Sequence, residues 1–200
     1  MSEHFDQKAN EWDTDQKRQR AKAIADKIRS RINFENSATV MDFGAGTGLL
    51  SEYLATDFET IIAVDTSGEM LTELSKKSEF RGKLQTINHD ILEHPVDLQL
   101  DGIVSSLTLH HIENPDALMK EFYRLLNKNG WIAIADLDKE DGTFHNPGVE
   151  GVHHHGFERP QFRKLLERNG FEEVTIETVH TIVHDDGKEF PLFLATGWKK

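Results

Sequence analysis

The residues in this chain best suited to chemistry are three carboxylates set at chosen points and a scatter of histidines. Asp42-Phe43-Gly44-Ala45-Gly46-Thr47-Gly48 puts an acid at the head of a glycine-rich turn. Glycine lets the backbone turn sharply and lets a ligand approach it closely, and a helix starting beyond the turn offers unpaired N–H groups. The glycines run GxGxG, whereas the fingerprint that seats a pyrophosphate runs GxGxxG. A carboxylate at Asp42 would repel a pyrophosphate and favour a ligand with positive groups at that point. Asp65 follows the apolar run Thr60–Val64 and is placed to accept hydrogen bonds from ribose hydroxyls, a feature shared with nicotinamide sites. Asp90, in Asn88-His89-Asp90-Ile91, is placed to accept from an adenine amino group, with Ile91 and Met70 expected on the ring faces.

The notable histidines, among eleven in the chain, are His110 and His111, His145, and the run His153-His154-His155. Histidine titrates near neutrality and is the commonest general base. His110 and His154 are the expected proton acceptors. His111 and His145, with Phe5, Trp12 and Phe157, are expected to line a substrate pocket, and Phe144 lies in the same stretch. Asp138, Glu140 and Asp141 could join histidines around a divalent ion, but consecutive histidines point different ways and no HxxxH spacing is present, so no metal is expected.

The elements that must position these residues follow from periodicity. Ala21, Ile24, Ala25, Ile28 and Ile32 share one face of a helix over about 15–32. Thr39–Phe43, Thr60–Asp65, Leu84–Asn88, Gly102–Ser106 and Trp131–Ala135 read as strands, several of them apolar on both faces, as central parallel strands are. Short helices are expected after the glycine turn, with Leu50, Tyr53 and Leu54 inward, and over Gly68–Lys77. Asn114-Pro115 starts a helix whose period runs through Leu118, Phe122, Leu125 and Leu126, with Gly130 as its stop. Pro160–Asn169 is a further helix, and Phe171–Trp198 reads as two antiparallel strands about Asp185-Asp186-Gly187. Alternating strand and helix predicts an α/β, doubly wound, mostly parallel sheet. Ligands of such sheets bind beyond the strands' carboxyl ends, here just past Phe43, Val64, Asn88, Ser105 and Ala135.

Composition narrows the partners. The formal net charge is −12, against a nucleic-acid partner, which needs lysines and arginines to displace counterions. The cluster Lys17, Arg18, Arg20 and Lys22 reads as the solvated face of a helix. No stretch is long and apolar enough to cross a membrane, and the first residues lack a basic region followed by an apolar run, so a cytoplasmic protein is expected. Cysteine is absent, which removes disulfides, thiolate metal sites and cysteine nucleophiles.

Taken together, these segments resemble the class I, Rossmann-like S-adenosylmethionine-dependent methyltransferases. Val40-Met-Asp-Phe-Gly-Ala-Gly-Thr-Gly-Leu49 is similar to that family's first motif, Ala63-Val-Asp-Thr-Ser67 with Glu69-Met70-Leu71 to its ribose segment, and His89-Asp90-Ile91 to its adenine segment. Asp101–Ile112 and Leu125–Ile134 resemble the fourth-strand motif and the helix-to-strand passage after it, so the likeness spans roughly residues 38–137 in the expected order. The resemblance implies a seven-stranded sheet with an antiparallel last strand, and S-adenosylmethionine as cofactor with S-adenosylhomocysteine as product. That cofactor has no phosphate and carries an ammonium and a sulfonium, which agrees with Asp42. The implied cofactor set is Asp42, Gly44, Ala45, Gly46, Thr47, Gly48, Asp65, Thr66, Met70, Asp90, Ile91, Ser105 and Ser106.

The expected organisation is a single domain over 1–200. It has an N-terminal helical lid at 1–35, a cofactor-binding core at 38–137, a substrate-side loop at 138–158 and a closing helix and strand pair at 159–200. Only the lid and the loop remain to recognise an acceptor, which favours a small molecule. The fourth strand ends Ser105-Ser-Leu-Thr-Leu-His110 and lacks the Asn/Asp-Pro-Pro-aromatic signature of enzymes that methylate amino groups of nucleobases or glutamine. A nicotinamide-dependent oxidoreductase and a non-catalytic binder of S-adenosylmethionine are the alternatives. Oligomeric state is open.

Overall fold

Runs such as Thr-Val-Met-Asp-Phe and Thr-Ile-Ile-Ala-Val have too many apolar residues for a sheet with one wet face, and they form the middle of a sheet covered on both. The computed structural model describes residues 9–35, 37–146, 149 and 151–200. Its strands are β1 (Thr39–Phe43), β2 (Thr60–Val64), β3 (Leu84–Ile87), β4 (Leu100–Ser106), β5 (Leu126–Leu137), β6 (Glu172–Val183) and β7 (Glu189–Trp198). They form one seven-stranded sheet in the order β3-β2-β1-β4-β5-β7-β6. The first five pair in parallel, and β7 runs antiparallel to both β5 and β6. This is the doubly wound sheet with an antiparallel last strand that the sequence implies. No helix among the described residues is long and apolar enough to cross a membrane.

The helices are α1 (Asp15–Arg31), α2 (Leu49–Leu54), α3 (Gly68–Ser75), α4 (Pro115–Leu125) and α5 (Arg159–Arg168). Alternate strand residues divide between two cores, as the two-residue period of a strand requires. Val40, Ile61, Ala63 and Val104 pack with Ile24 and Ile28 of α1, Leu54 of α2 and Leu74 of α3. Met41, Ile62, Ile103 and Ile132 pack with Leu118 and Phe122 of α4 and with Phe162 and Leu166 of α5 on the other face. Burying a side chain of this size contributes roughly 1.5–3 kcal/mol. Thr14, Ser67 and Asn114 cap α1, α3 and α4 through their side-chain oxygens. Tyr53, expected inward, is only half-buried.

One boundary differs from the sequence expectation. α4 ends at Leu125, and Leu126 already pairs with Leu100 of β4, so Gly130 lies inside β5 rather than closing the helix. The intervening turn is held from outside. Asn127 donates to Asp101 at 2.9 Å, the Asn129 N–H bonds the Lys199 carbonyl at 2.6 Å, and the Lys199 N–H bonds the Gly130 carbonyl at 2.8 Å. These tertiary bonds outweigh a helical period that Leu126 would otherwise continue.

Candidate active site

The carboxyl ends of β1 to β5 open on one cavity of about 1000 Å³. The glycine turn forms its floor. Gly44 and Ala45 N–H groups bond the Val64 carbonyl at 2.8 and 3.1 Å, folding the turn against the end of β2. Gly44 has φ +69°, and a Cβ there would lie 2.2 Å from the Thr108 side chain, so only glycine fits. Gly46 has φ +54°, with nothing within 4 Å of the place a Cβ would occupy, so its bare backbone is presented to open space. Gly44, Ala45, Gly46 and Thr47 line the cavity, whereas Gly48 caps α2 and packs on Leu74 away from the lining.

Asp42 is 2% exposed, takes a 2.6 Å hydrogen bond from Ser51 Oγ and borders the cavity. Burial pushes its carboxyl up to about 6, helped by the Asp65 charge and opposed by the Ser51 bond. Asp65 braces the turn: Oδ2 accepts from the Gly46 N–H and Oδ1 from the Ser67 N–H, both at 2.8 Å. Each carboxylate oxygen has a second lone pair, so Asp65 can still accept from a ligand. Thr66, Met70, Asp90 and Ser106 also line the cavity. Asp90 spends one oxygen on the Leu92 N–H at 2.8 Å.

Besides Gly48, two residues of the expected cofactor set stand elsewhere. Ile91 is wholly buried in the core under α4 and does not reach the cavity; Leu92 lines it instead. The turn that Asp90 makes with Leu92 reverses which side chain faces inward. Ser105 is also fully buried and donates to the Phe43 carbonyl at 2.8 Å, tying β4 to β1 rather than facing a ligand.

Sequence reasoning also missed several lining residues, among them His89, Arg20 and Lys17. The buried Nε2 of His89 has no hydrogen-bond partner, and this ring lines the cavity. A buried polar atom left so costs about 1–3 kcal/mol, which a ligand would recover. The pattern in His89-Asp90-Ile91 pointed to this segment, not to the first residue of it. Arg20, read as part of a solvated face, lines the cavity together with Lys17. Burial lowers its guanidinium to about 10, and no carboxylate pairs with it among the described residues. Charge alone could not show which side of α1 turns inward; the Ile24 and Ile28 stripe sets that rotation.

The loops after β4 and β5 bring the histidines together. His110 is 1% exposed, and its Nδ1 lies 2.7 Å from Asp136 Oδ1; Asp136, wholly buried in β5, also takes the Leu137 N–H at 2.7 Å. His145 Nε2 lies 3.1 Å from His110 Nε2, and His111 Nδ1 lies 2.8 Å from the Gly151 carbonyl. Burial first, then the neighbouring His110, pushes His111 and His145 down to about 4, so both are neutral imidazoles near pH 7. His110, His111, His145 and Phe144 line the cavity, and Trp12 borders it from the N-terminal side. Phe5 lies outside the described residues.

His154 and Phe157 are corrected. His154 Nε2 lies 2.9 Å from the Ile112 carbonyl, and its backbone N–H bonds the His110 carbonyl at 3.0 Å. It fastens the loop and is absent from the cavity wall. Phe157 packs on His154 and Phe162 against the core. Asp138, Glu140 and Asp141 are occupied too, by Arg159, by three backbone N–H groups and by Lys188 with Thr143. One ring nitrogen each of His110, His111 and His145 lies within 4.8 Å of the others. Adjacent strands unite loops that no sequence spacing links.

A family model described as a methyltransferase domain matches residues 16–176. The chain is 29% identical over 151 residues to an uncharacterized methyltransferase of Schizosaccharomyces pombe, which covers 68% of this chain and 53% of that protein. It is also 29% identical over 147 residues to an uncharacterized methyltransferase of Bacillus mycoides, covering 66% of this chain and 68% of that one. Among solved structures, it matches a complex between the Haloferax volcanii Trm112 methyltransferase activator and its partner at TM-score 0.76, with 18% identity, 98% of this chain and 97% of the matched chain. Phosphoethanolamine N-methyltransferase 2 of Haemonchus contortus, bound to phosphomonomethylethanolamine and S-adenosylhomocysteine, matches at TM-score 0.70, with 15% identity, 88% of this chain and 52% of that chain. At these identities the structural likeness is one of fold. The chain belongs to the class I, Rossmann-like S-adenosylmethionine-dependent methyltransferase family. It spans about half the length of the fission-yeast relative.

Proposed function

We propose that this protein transfers a methyl group from S-adenosylmethionine to a small-molecule acceptor, within the one cavity that joins the glycine turn to the histidine loops. The observation that carries the reading is that continuity. A volume of about 1000 Å³ is at the upper end of what small-molecule sites enclose, and so has room for a cofactor and a modest acceptor together. The lining also fits the cofactor's chemistry. Asp42 and Asp65 flank the bare backbone of Gly46, a setting hostile to pyrophosphate and suited to an ammonium and a ribose. The orphaned His89 nitrogen and Asp90 face the place of an adenine edge, with Met70 and Leu92 as apolar neighbours. Arg20 supplies a cation for the methionyl carboxylate.

When bound, S-adenosylmethionine supplies an already activated methyl group on a positive sulfur. The protein's task is then to align the acceptor and keep water out. Phe144 and Trp12 offer apolar walls, and the ring nitrogens of His110, His111 and His145 face an acceptor atom that must shed a proton. Asp136 holds His110 in the tautomer with its proton on Nδ1, because a carboxylate only accepts. A screen of metabolite fractions with methyl-labelled cofactor tests this reading. Label should appear in a low-molecular-weight product; label found only in protein or nucleic acid would contradict it.

A further inference from the structure

We infer that His110, His111 and His145 form a binding site for a late first-row divalent cation, with zinc as the reference ion, on the acceptor side of the cavity. The three rings come from two loops; His110 and His145 are 35 residues apart in sequence. One ring nitrogen of each lies within 4.8 Å of the others, and the ring centroids are 4.2 to 5.2 Å apart. Two nitrogens bound to one tetrahedral zinc at ~2.0–2.1 Å would stand about 3.3 Å apart. His110 Nε2 and His145 Nε2 are already 3.1 Å apart.

The tautomers carry the inference further. His110 Nδ1 faces the Asp136 carboxylate at 2.7 Å, and His111 Nδ1 faces the Gly151 carbonyl at 2.8 Å. Both partners accept only, so both protons sit on Nδ1 and each Nε2 carries its lone pair. An imidazole that donates its far N–H to a carboxylate or a backbone carbonyl is the usual outer arrangement of a metal-bound histidine. Asp136 is itself anchored by the backbone N–H groups of His110 and Leu137. Its buried charge offsets part of a dication, and Glu113 borders the same cavity. Imidazole nitrogens select zinc, nickel, copper or iron over magnesium and calcium, which take oxygen ligands.

Three protein ligands leave a position open to the cavity, the arrangement of a reactive rather than a structural site. If the position takes the acceptor's oxygen or nitrogen, the cation lowers the cost of that atom losing its proton; this role rests on the methyl-transfer reading, whereas the binding site does not.

The test is calorimetric titration of chelator-stripped full-length protein with zinc and with magnesium, alongside a separate titration with S-adenosylhomocysteine. One zinc per chain should bind, and magnesium should not. His145→Ala should weaken zinc binding about tenfold or more and Asp136→Asn about 10–100-fold, while His155→Ala, on an exposed ring, should leave it unchanged. Cobalt substituted for zinc should give a visible spectrum that His145→Ala alters. Zinc binding without S-adenosylhomocysteine binding would keep this site and reject the cofactor reading. Absence of stoichiometric zinc binding by folded protein would overturn the inference. So would affinity that falls with His155→Ala but not with His145→Ala, or equal binding of magnesium.

Discussion

Asp42 decides more by its proton than by its position. Its folded value of about 6 lies above the ordinary 3.8, so between those values the native protein holds a proton that the unfolded chain has lost. Stability contributed at this site therefore falls as pH rises through that window, by an amount of order 3 kcal/mol. A cationic ligand reverses the preference, since it favours the carboxylate. Affinity for S-adenosylhomocysteine should consequently fall as pH drops below about 6, with proton release on binding near that pH. Asp42→Asn should be at least as stable as the parent at pH 7.5 and bind more weakly. A pH-independent affinity from calorimetry in two buffers would remove Asp42 from the ligand's surroundings. His154 makes the contrasting case. Its ring is committed to the Ile112 carbonyl, so His154→Ala should cost about 0.5–1.5 kcal/mol in denaturant unfolding and leave the methyl-transfer rate near that of the parent. A large loss of rate with unchanged stability would restore it as a base.

At the scale of elements, α1 matters because it carries Arg20 to the cavity while its far end is tied to β6. Lys27 pairs with Glu177 at 2.6 Å, and Arg31 holds the same carboxylate through two nitrogens. Those bonds hold Glu177 down to about 2, below its ordinary 4.5. The stability they add is thus present above about 4.5 and lost as pH falls through about 2. For a partly exposed cluster this amounts to about 0.5–1 kcal/mol. Glu177→Gln should lower the melting temperature by roughly 1–4 °C at pH 7, and a scan at pH 2 should find parent and variant alike. The strands and helices around this tie were legible in the sequence, because an apolar run such as Trp131–Ala135 and a cap such as Asn114-Pro115 act locally. The early end of α4 was not, since its cause is the Lys199 backbone, distant in sequence.

At the scale of the molecule, the sheet order explains which parts of the site could be read beforehand. Asp42 lies near the end of β1 and Gly46 just past it, while Asp65 and Asp90 follow β2 and β3, so a pass along the chain finds them. The histidine triad exists only because β4 and β5 are neighbours and their loops meet. The same reasoning failed for Ile91 and Phe157: a local turn between Asp90 and Leu92 sets the direction of Ile91, and both side chains are claimed by core packing between elements distant in sequence. The account's central claim is that the glycine turn and its flanking carboxylates hold a cationic adenosine derivative. Titration of the protein and of Asp65→Ala with S-adenosylhomocysteine, and with NAD for comparison, tests it most directly. The expected result is one S-adenosylhomocysteine per chain, no heat from NAD, and a loss of about 1–3 kcal/mol in the variant. Binding of NAD alone, or an affinity indifferent to position 65, would contradict it.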